Sequence, residues 1–392
     1  MTASPGGLVQ RARALGPELA AAVAEGDELR RVPDSTWKLL LEAGFLRALQ
    51  PARWGGGEVE LVEFLDAVFE LSRVNPSAGW VAGVIGVHPW QLALFEEEAQ
   101  RELWGEDPTT MHSSSYYPTG TARVVDGGYE VSGRWSFSSG CDHCRAVNLG
   151  AVVREQRGAG DLPDFRSFLL LEGDYRIDDT WHVAGLRGTG SKDIVVDGVF
   201  VPAHRTQSHT EYAMGNVLPG QARNDGPLYR MPQSVVFNMA VAASVFGAAQ
   251  GFVETWIAES RDRLTARRVP LADDPLTQRR VAEAAWTLHA ALTMLRADAD
   301  ELARRARAGE VATMTERGTY RWHLNRNCEQ VGIVTAELMR AASGRSLFLD
   351  HPLQRRYQDI QAGLGHAFLG PDPVARAVGG ALLGTTAPEL IL

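Results

Sequence analysis

Gly133-Arg134-Trp135-Ser136-Phe137-Ser138-Ser139-Gly140 and Trp181-His182-Val183-Ala184-Gly185-Leu186-Arg187-Gly188-Thr189-Gly190-Ser191 decide how this chain is read. Both stretches combine bulky aromatics, small hydroxyl residues and glycines at what read as strand ends. Aromatic faces supply apolar walls, hydroxyls pair with ring heteroatoms, and glycines let backbone amides approach closely. The combination suits a flat ligand with polar edges, and we read it as the bed of a flavin ring.

Around these stretches the pattern is that of strands. Thr121 to Val125 and Tyr129 to Ser136 flank Asp126-Gly127-Gly128, a hairpin signal. Ala146 to Val153, Phe165 to Leu171 and Ile194 to Val201 are further strand-like runs, and Asp-Gly recurs at Asp197-Gly198. The polar stretch Arg154 to Asp164 reads as a surface loop.

Helical patterns lie on both sides. Before the strands, Asp34 or Ser35 is positioned to cap a segment carrying Trp37, Leu40, Leu41 and Phe45. Leu61, Phe64, Leu65, Val68 and Leu71 recur at helical spacing. Ser77 to Trp104 continues as helix, with an expected break at His88-Pro89; His88 there either lines a ligand pocket or is structural, and the structural reading is preferred. After an irregular connection over 203–233, helices are expected at Val235 to Arg261, Leu276 to Ala308, Met314 to Ala342 and beyond Pro352. The chain therefore divides into an N-terminal helical domain (1–110), a central β domain (111–205) and a C-terminal helical bundle (206–392). No GxGxxG follows a strand, and strands are segregated from helices, which disfavours a dinucleotide crossover fold.

Composition narrows the partners. The 392 residues are 45% hydrophobic and 22% charged, ordinary for a globular protein, and the net charge of −9 offers no footprint for nucleic acid or an anionic membrane. The start, Met-Thr-Ala-Ser-Pro-Gly-Gly, lacks the basic and apolar regions of a signal peptide. The most apolar helix, Val235 to Ile257, is interrupted by Asn238, Gln250 and Glu254 and reads as buried. Cys141-Asp142-His143-Cys144 has redox or metal-ligand spacing, but no second pair follows. With Cys328 these are expected to be structural thiols in a reducing cytoplasm, with no metal site.

Pro51 to Gly56, His88-Pro89-Trp90, Gly133 to Gly140, Trp181 to Pro202, Pro227 to Pro232 and Pro352 to His366 occur in an order that resembles the acyl-CoA dehydrogenase superfamily, in its flavin-dependent monooxygenase branch. The resemblance implies an α+β subunit: an N-terminal helical domain, a central β-barrel-like domain and a C-terminal four-helix bundle, assembled as a homotetramer. It also implies the oxygenase component of a two-component system, hydroxylating a phenolic or polycyclic aromatic substrate through a C4a-hydroperoxyflavin. Reduced flavin (FMNH2 or FADH2) would come from a separate NAD(P)H-dependent reductase. Dehydrogenases of the superfamily carry a catalytic glutamate on the bundle. The corresponding stretch here, Ala362 to Phe368, has none, and Asp359 lies seven residues before His366.

The same resemblance assigns residues. His366, in Arg356-Tyr357-Gln358-Asp359 followed by Gly365-His366, is the expected base for the phenolic proton, although Gln358 stands where many relatives have arginine. Ser138 is expected beside the flavin's N5 edge, with Ser139 as the alternative one residue along. His112 is expected on the substrate side. Trp135, Phe137 and Trp181 would wall the ring, Gly188, Thr189 and Ser191 would meet the flavin's ribityl or phosphate end, and Arg230 a phosphate or a substrate carboxylate. Oxygen transfer to nitrogen or sulfur, acyl-CoA dehydrogenation, and a catalytically inactive member of an assembly are the competing expectations.

Overall fold

Apolar spacing in the first hundred residues produces seven helices among the residues described in the computed structural model, which are 6–153, 163–264 and 268–385. They are α1 (Leu8–Ala14), α2 (Gly16–Ala21), α3 (Val23–Leu29), α4 (Asp34–Glu42), α5 (Leu61–Val74), α6 (Pro76–Leu92) and α7 (Glu97–Trp104). On α5 the periodic residues Leu61, Phe64, Leu65, Val68 and Leu71 are all buried. Asn75 then caps α6, accepting from the Ala78 amide at 3.0 Å, and Pro76 follows at a position where no amide is needed. Every residue of α6 is buried.

Two local expectations fail here. Helix α6 runs through Pro89, and the chain turns only at Ala93 to Glu96. Proline so near a helix end removes a single backbone hydrogen bond, which burial of the whole helix outweighs. Neither Asp34 nor Ser35 caps α4; Pro33 stands at the cap position and Asp34 instead accepts from Arg31 at 2.7 Å.

The central sheet has the order β5-β6-β2-β1-β3-β4-β7. Its strands are β1 (His112–Val125), β2 (Gly128–Ser138), β3 (Ala146–Val153), β4 (Phe165–Leu171), β5 (Arg176–Asp178), β6 (Lys192–Pro202) and β7 (Thr206–Ser208). Asp126-Gly127 makes the β1–β2 hairpin, with Gly127 at φ +75°. Asp197-Gly198 does not turn the chain. It sits inside β6 as a bulge where Val199 pairs with Val131 and Val196 with Gly133. The short edge strands β5 and β7 carry too few residues to show in a periodicity. Inward residues of β2, β3, β4 and β6, among them Trp135, Val147, Phe168 and Ile194, form one cluster, so the sheet curls around its own core. Among the described residues no ladder joins β5 to β7. The expected loop over Arg154 to Asp164 lies outside the described residues for 154–162.

After the short α8 (His209–Ala213) come α9 (Gln233–Ser260), α10 (Pro275–Ala308), α11 (Met314–Arg340), α12 (Pro352–Leu364) and α13 (Pro371–Leu383). Helix α9 is long and apolar enough to cross a membrane, yet it is buried along nearly its whole length, packed against α5, α6, α10, α11 and α12. The chain breaks between α12 and α13, and the break sets His366 at the mouth of a short 3-10 turn. The loop before β6 lies tight on α12: a Cβ on Gly185 would meet the Gln358 carbonyl at 2.0 Å, and the Leu186 amide donates to Asp359 Oδ1 at 2.6 Å. Buried Asp359 is thereby an anchor for the loop, and desolvation raises its pKa to about 7.

Candidate active site

A cavity of about 270 Å³ opens between α6, β1, β2, the 181–191 loop, α9 and the α12–α13 break. No carboxylate, lysine or arginine side chain lines it among the described residues, and its walls are aromatic, aliphatic and hydroxylic, with two histidines.

One wall is a chain of hydroxyls whose hydrogens are all assigned. Thr189 Oγ1 donates to the Leu186 carbonyl at 2.8 Å. The Ser191 hydroxyl, 2.7 Å from Thr189, must therefore donate to it, and Ser139, 2.8 Å from Ser191, must donate in turn. Ser139 accepts from the Trp80 indole at 3.1 Å. Ser139 and Ser191 face the cavity with only lone pairs to offer, so this wall accepts N–H donors. Trp181 and Phe137 stand beside it, edge to face at 6.1 Å. Phe137 is 69% exposed and holds φ +71°, a costly conformation for an aromatic residue.

The opposite wall carries two histidines. His366 Nδ1 accepts from the Phe368 amide at 3.3 Å, so the neutral ring keeps its hydrogen on Nε2. Burial lowers its pKa to about 4. His88, 1% exposed, is also lowered to about 4, by desolvation. Its Nδ1–H donates to the His112 carbonyl at 2.9 Å, leaving Nε2 to accept from the Ser114 hydroxyl at 2.8 Å. The rings of His88 and His366 each lie 6.2 Å from that of Phe237.

The structure brings His366, Ser139, Phe137, Trp181 and Ser191 to this cavity. It does not bring Ser138, whose hydroxyl is fully buried against Ser113 at 2.9 Å; the alternative residue, Ser139, takes the cavity position. Trp135 points to the other side of the sheet, where its indole donates to the Gly150 carbonyl at 2.7 Å. Trp135 therefore does not wall the cavity that His366 lines. The cause is local: a register shift between Trp135 and Ser138, with Phe137 in the left-handed region, interrupts the alternation along β2. Thr189 lies behind the wall and supports Ser191, and Gly188 packs against Ser77 and Gly26, so neither lines the cavity. His112 is buried beneath His88, its ring stacked at 5.1 Å with both nitrogens unpartnered among the described residues. Burial and then the neighbouring His88 hold its pKa well below the usual value. Arg230 is exposed in a separate outer groove with Asp225 and Glu310. His366 reaches the cavity as a neutral ring whose Nδ1 accepts from the Phe368 amide, so in this tautomer its Nε2–H is the donor it presents.

Sequence reasoning missed Ser114 and underrated His88. Their signals were the Ser113-Ser114-Ser115 run and a histidine beside a proline, neither of which tells which way a side chain points.

Two family models match the chain: "Acyl-CoA dehydrogenase, N-terminal domain" over residues 9–110 and "Acyl-CoA dehydrogenase, C-terminal domain" over 239–371. The flavin-dependent monooxygenase oxygenase subunit HsaA of Rhodococcus jostii (strain RHA1) is 40% identical over 369 residues, 93% of this chain and 95% of that protein. The FADH(2)-dependent resorcinol hydroxylase oxygenase component of Rhizobium sp. (strain MTP-10005) is 33% identical over 390 residues, 96% and 94% of the two chains. Among solved structures, 3-HSA hydroxylase from Rhodococcus sp. RHA1 superposes with a TM-score of 0.93 at 37% identity, covering 99% of each chain.

Proposed function

The chain belongs to the acyl-CoA dehydrogenase family and, within it, to the flavin-dependent monooxygenases, and from that premise we propose that it hydroxylates a phenolic ring held between Ser114 and His366. One observation carries the reading: a single cavity is lined both by the hydroxyl acceptors Ser139 and Ser191 and by Ser114, whose hydrogen goes to His88, together with His366.

The lining fits a reduced flavin: Ser139 and Ser191 would accept from its N–H groups, and Phe137 and Trp181 would give it a flat apolar wall. When bound, reduced flavin supplies the electrons that activate dioxygen, one atom of which goes to the ring and the other to water. The protein's own work is positioning. Ser114, its hydrogen committed to His88, accepts the phenolic O–H, and His366 Nε2–H donates to the same oxygen. Hydrogen bonds of opposite sense at one oxygen orient the ring, and the one that Ser114 accepts is the one that raises electron density at the ortho carbon. Trp80, Leu186 and Phe237 exclude water.

No carboxylate lines the cavity among the described residues, and Asp359 is committed to the Leu186 amide, which weighs against α-proton abstraction from an acyl thioester. Relatives named as oxygenase subunits or components support a separate partner, proposed here to be an NAD(P)H-dependent flavin reductase. A homotetramer is proposed on the exposed apolar residues Trp286, Leu347, Phe348 and Leu349, and a cytoplasmic setting on the free thiols of Cys141, Cys144 and Cys328.

The test mixes the protein and reduced flavin with oxygen-18 dioxygen and a panel of phenols. One labelled hydroxyl per product is expected. Flavin oxidation without product on every phenol, or flavin reduction by an acyl-CoA without a reductase, would overturn the reading. Labelled products from amines or thiophenes alone would move it to nitrogen or sulfur oxygenation.

A further inference from the structure

Along α6 the side chains of Trp80, Val84 and His88 line the cavity, and eight residues of helix measure about 12 Å. The Trp80 indole donates to Ser139 at 3.1 Å and so marks the end that carries the hydroxyl chain. His88 and its partner Ser114 mark the other end. His366 stands between the two, its ring 5.7 Å from that of Trp80 and 6.2 Å from that of Phe237.

The end at His88 is closed by rings. Phe237 on α9 is 6% exposed and is met edge to face by Tyr116 at 5.3 Å and by Phe368 at 5.9 Å, while His88 lies nearly parallel to it at 6.2 Å. Aromatic rings at such separations are in contact, so no carbon chain passes between them. Tyr116 is tied from behind as well: its hydroxyl donates to Gln91, whose amide donates to Gln207 at 3.2 Å. Phe368 belongs to the same short turn that His366 caps. Beyond Tyr116, Phe237 and Phe368, which line both spaces, lies a separate chamber of about 50 Å³.

A phenol whose oxygen is held between Ser114 and His366 has its two ortho carbons in different surroundings. The one to be hydroxylated is nearest the wall of Ser139 and Ser191, and the other is nearest Phe237. The para carbon, opposite the oxygen, points away from the closed end.

We propose that Phe237 is a specificity-determining residue that restricts the substrate to phenols with hydrogen or a small group on the ortho carbon that is not hydroxylated. The inference rests on the reading of the cavity as a phenol site and narrows its substrate class. Long ortho-alkyl chains and rings fused at that edge are excluded, and para-alkyl chains are admitted. Turning the ring over does not rescue an ortho-alkylphenol, because the alkyl group then occupies the carbon to be hydroxylated.

The test supplies reduced flavin and oxygen and measures product per flavin oxidised from phenol, 2-propylphenol and 4-propylphenol. In the wild type, 2-propylphenol is expected to give at least about tenfold less product than 4-propylphenol, the penalty of forcing a few carbons into a packed wall. Phe237→Ala joins the cavity to the chamber behind it and should raise the ratio of ortho to para product by a similar factor. Phe237→Leu, a smaller change to α9, should raise it in the same direction, and a thermal melt shows which variants are folded. A general loosening of the site would lower both products and leave their ratio unchanged. Equal product from the two isomers in the wild type, or an unchanged ratio in a folded variant, overturns the inference. If phenol and 4-propylphenol also give no product, the reading of the cavity as a phenol site falls and takes the inference with it; if they are hydroxylated, only the role of Phe237 falls.

Discussion

The Ser114 hydroxyl sits 2.8 Å from Nε2 of His88, whose other ring nitrogen is spent on the His112 carbonyl. A buried imidazole with one nitrogen committed as donor fixes the serine's hydrogen inward and turns its lone pairs to the cavity.

That polarity makes the substrate's own hydrogen matter. Ser114→Ala should lower product per flavin oxidised about tenfold or more, with little effect on flavin affinity. In binding titrations the methyl ether of any phenol substrate, which has no hydrogen to give, should bind more weakly than the phenol. Equal affinity for the pair would remove Ser114 from recognition of the hydroxyl.

His366 is expected to act by donating. Asparagine retains an N–H and alanine does not, so His366→Asn should keep more coupled product than His366→Ala. Single-turnover product yield measures both. Because burial holds His366 at about 4, the wild-type yield should show no inflection near pH 6.5 and should fall only as the pH approaches about 4.

Acid stability follows from buried rings. His88 and His112 stay neutral in the folded protein below the pH at which the unfolded chain protonates them, at 6.5. The unfolded state then binds more protons, and stability falls as the pH drops below 6.5, for His88 by about 1.4 kcal/mol per pH unit until about 4. Asp359 works in the opposite sense. Its folded pKa of about 7 lies above the ordinary 3.8, so the stability it contributes is lost as pH rises between those values. Asp359→Asn, which still accepts from the Leu186 amide, should therefore make the acid loss steeper. Denaturant midpoints between pH 4.5 and 7 test this.

Breaking the hydroxyl chain should change redox preference. With its lone pairs facing the cavity, the wild type is expected to bind reduced flavin more tightly than oxidised flavin, which lacks the N–H groups gained on reduction. Ser139→Ala should narrow the ratio of the two dissociation constants several-fold. An unchanged ratio would mean that Ser139 only holds Trp80 and Ser191 in place.

Trp135 should matter to the sheet and not to the ligand. Trp135→Phe removes the bond to the Gly150 carbonyl and leaves space beside Gly120 and Gly133, so a loss of about 2–4 kcal/mol is expected. Thermal melting should show it, while reduced-flavin affinity stays as in the wild type.

Local patterns carried the architecture. Helical spacing on α5, the Asp126-Gly127 hairpin and the long runs of α9, α10 and α11 are all visible in the chain, because burial of one face leaves a period that needs no knowledge of the partner. The aromatic and hydroxyl stretches at Gly133 to Gly140 and Trp181 to Ser191 were visible for the same reason, as was the absence of a carboxylate between Ala362 and Phe368. What the sequence determined by itself was therefore which elements form and which segments line the cavity.

The side chain chosen within each segment was decided by tertiary structure. A one-residue irregularity at Phe137 turned Ser139 to the cavity and sent Ser138 and Trp135 away, and no period along the chain reports a bulge. Likewise the role of His366 depends on the Phe368 amide that meets its Nδ1, and that of Ser114 on a histidine 26 residues away. Hydrogen bonds are directional at the scale of one atom, whereas hydrophobic burial acts on a whole face. The fold could be read from the second, and the chemistry waits on the first.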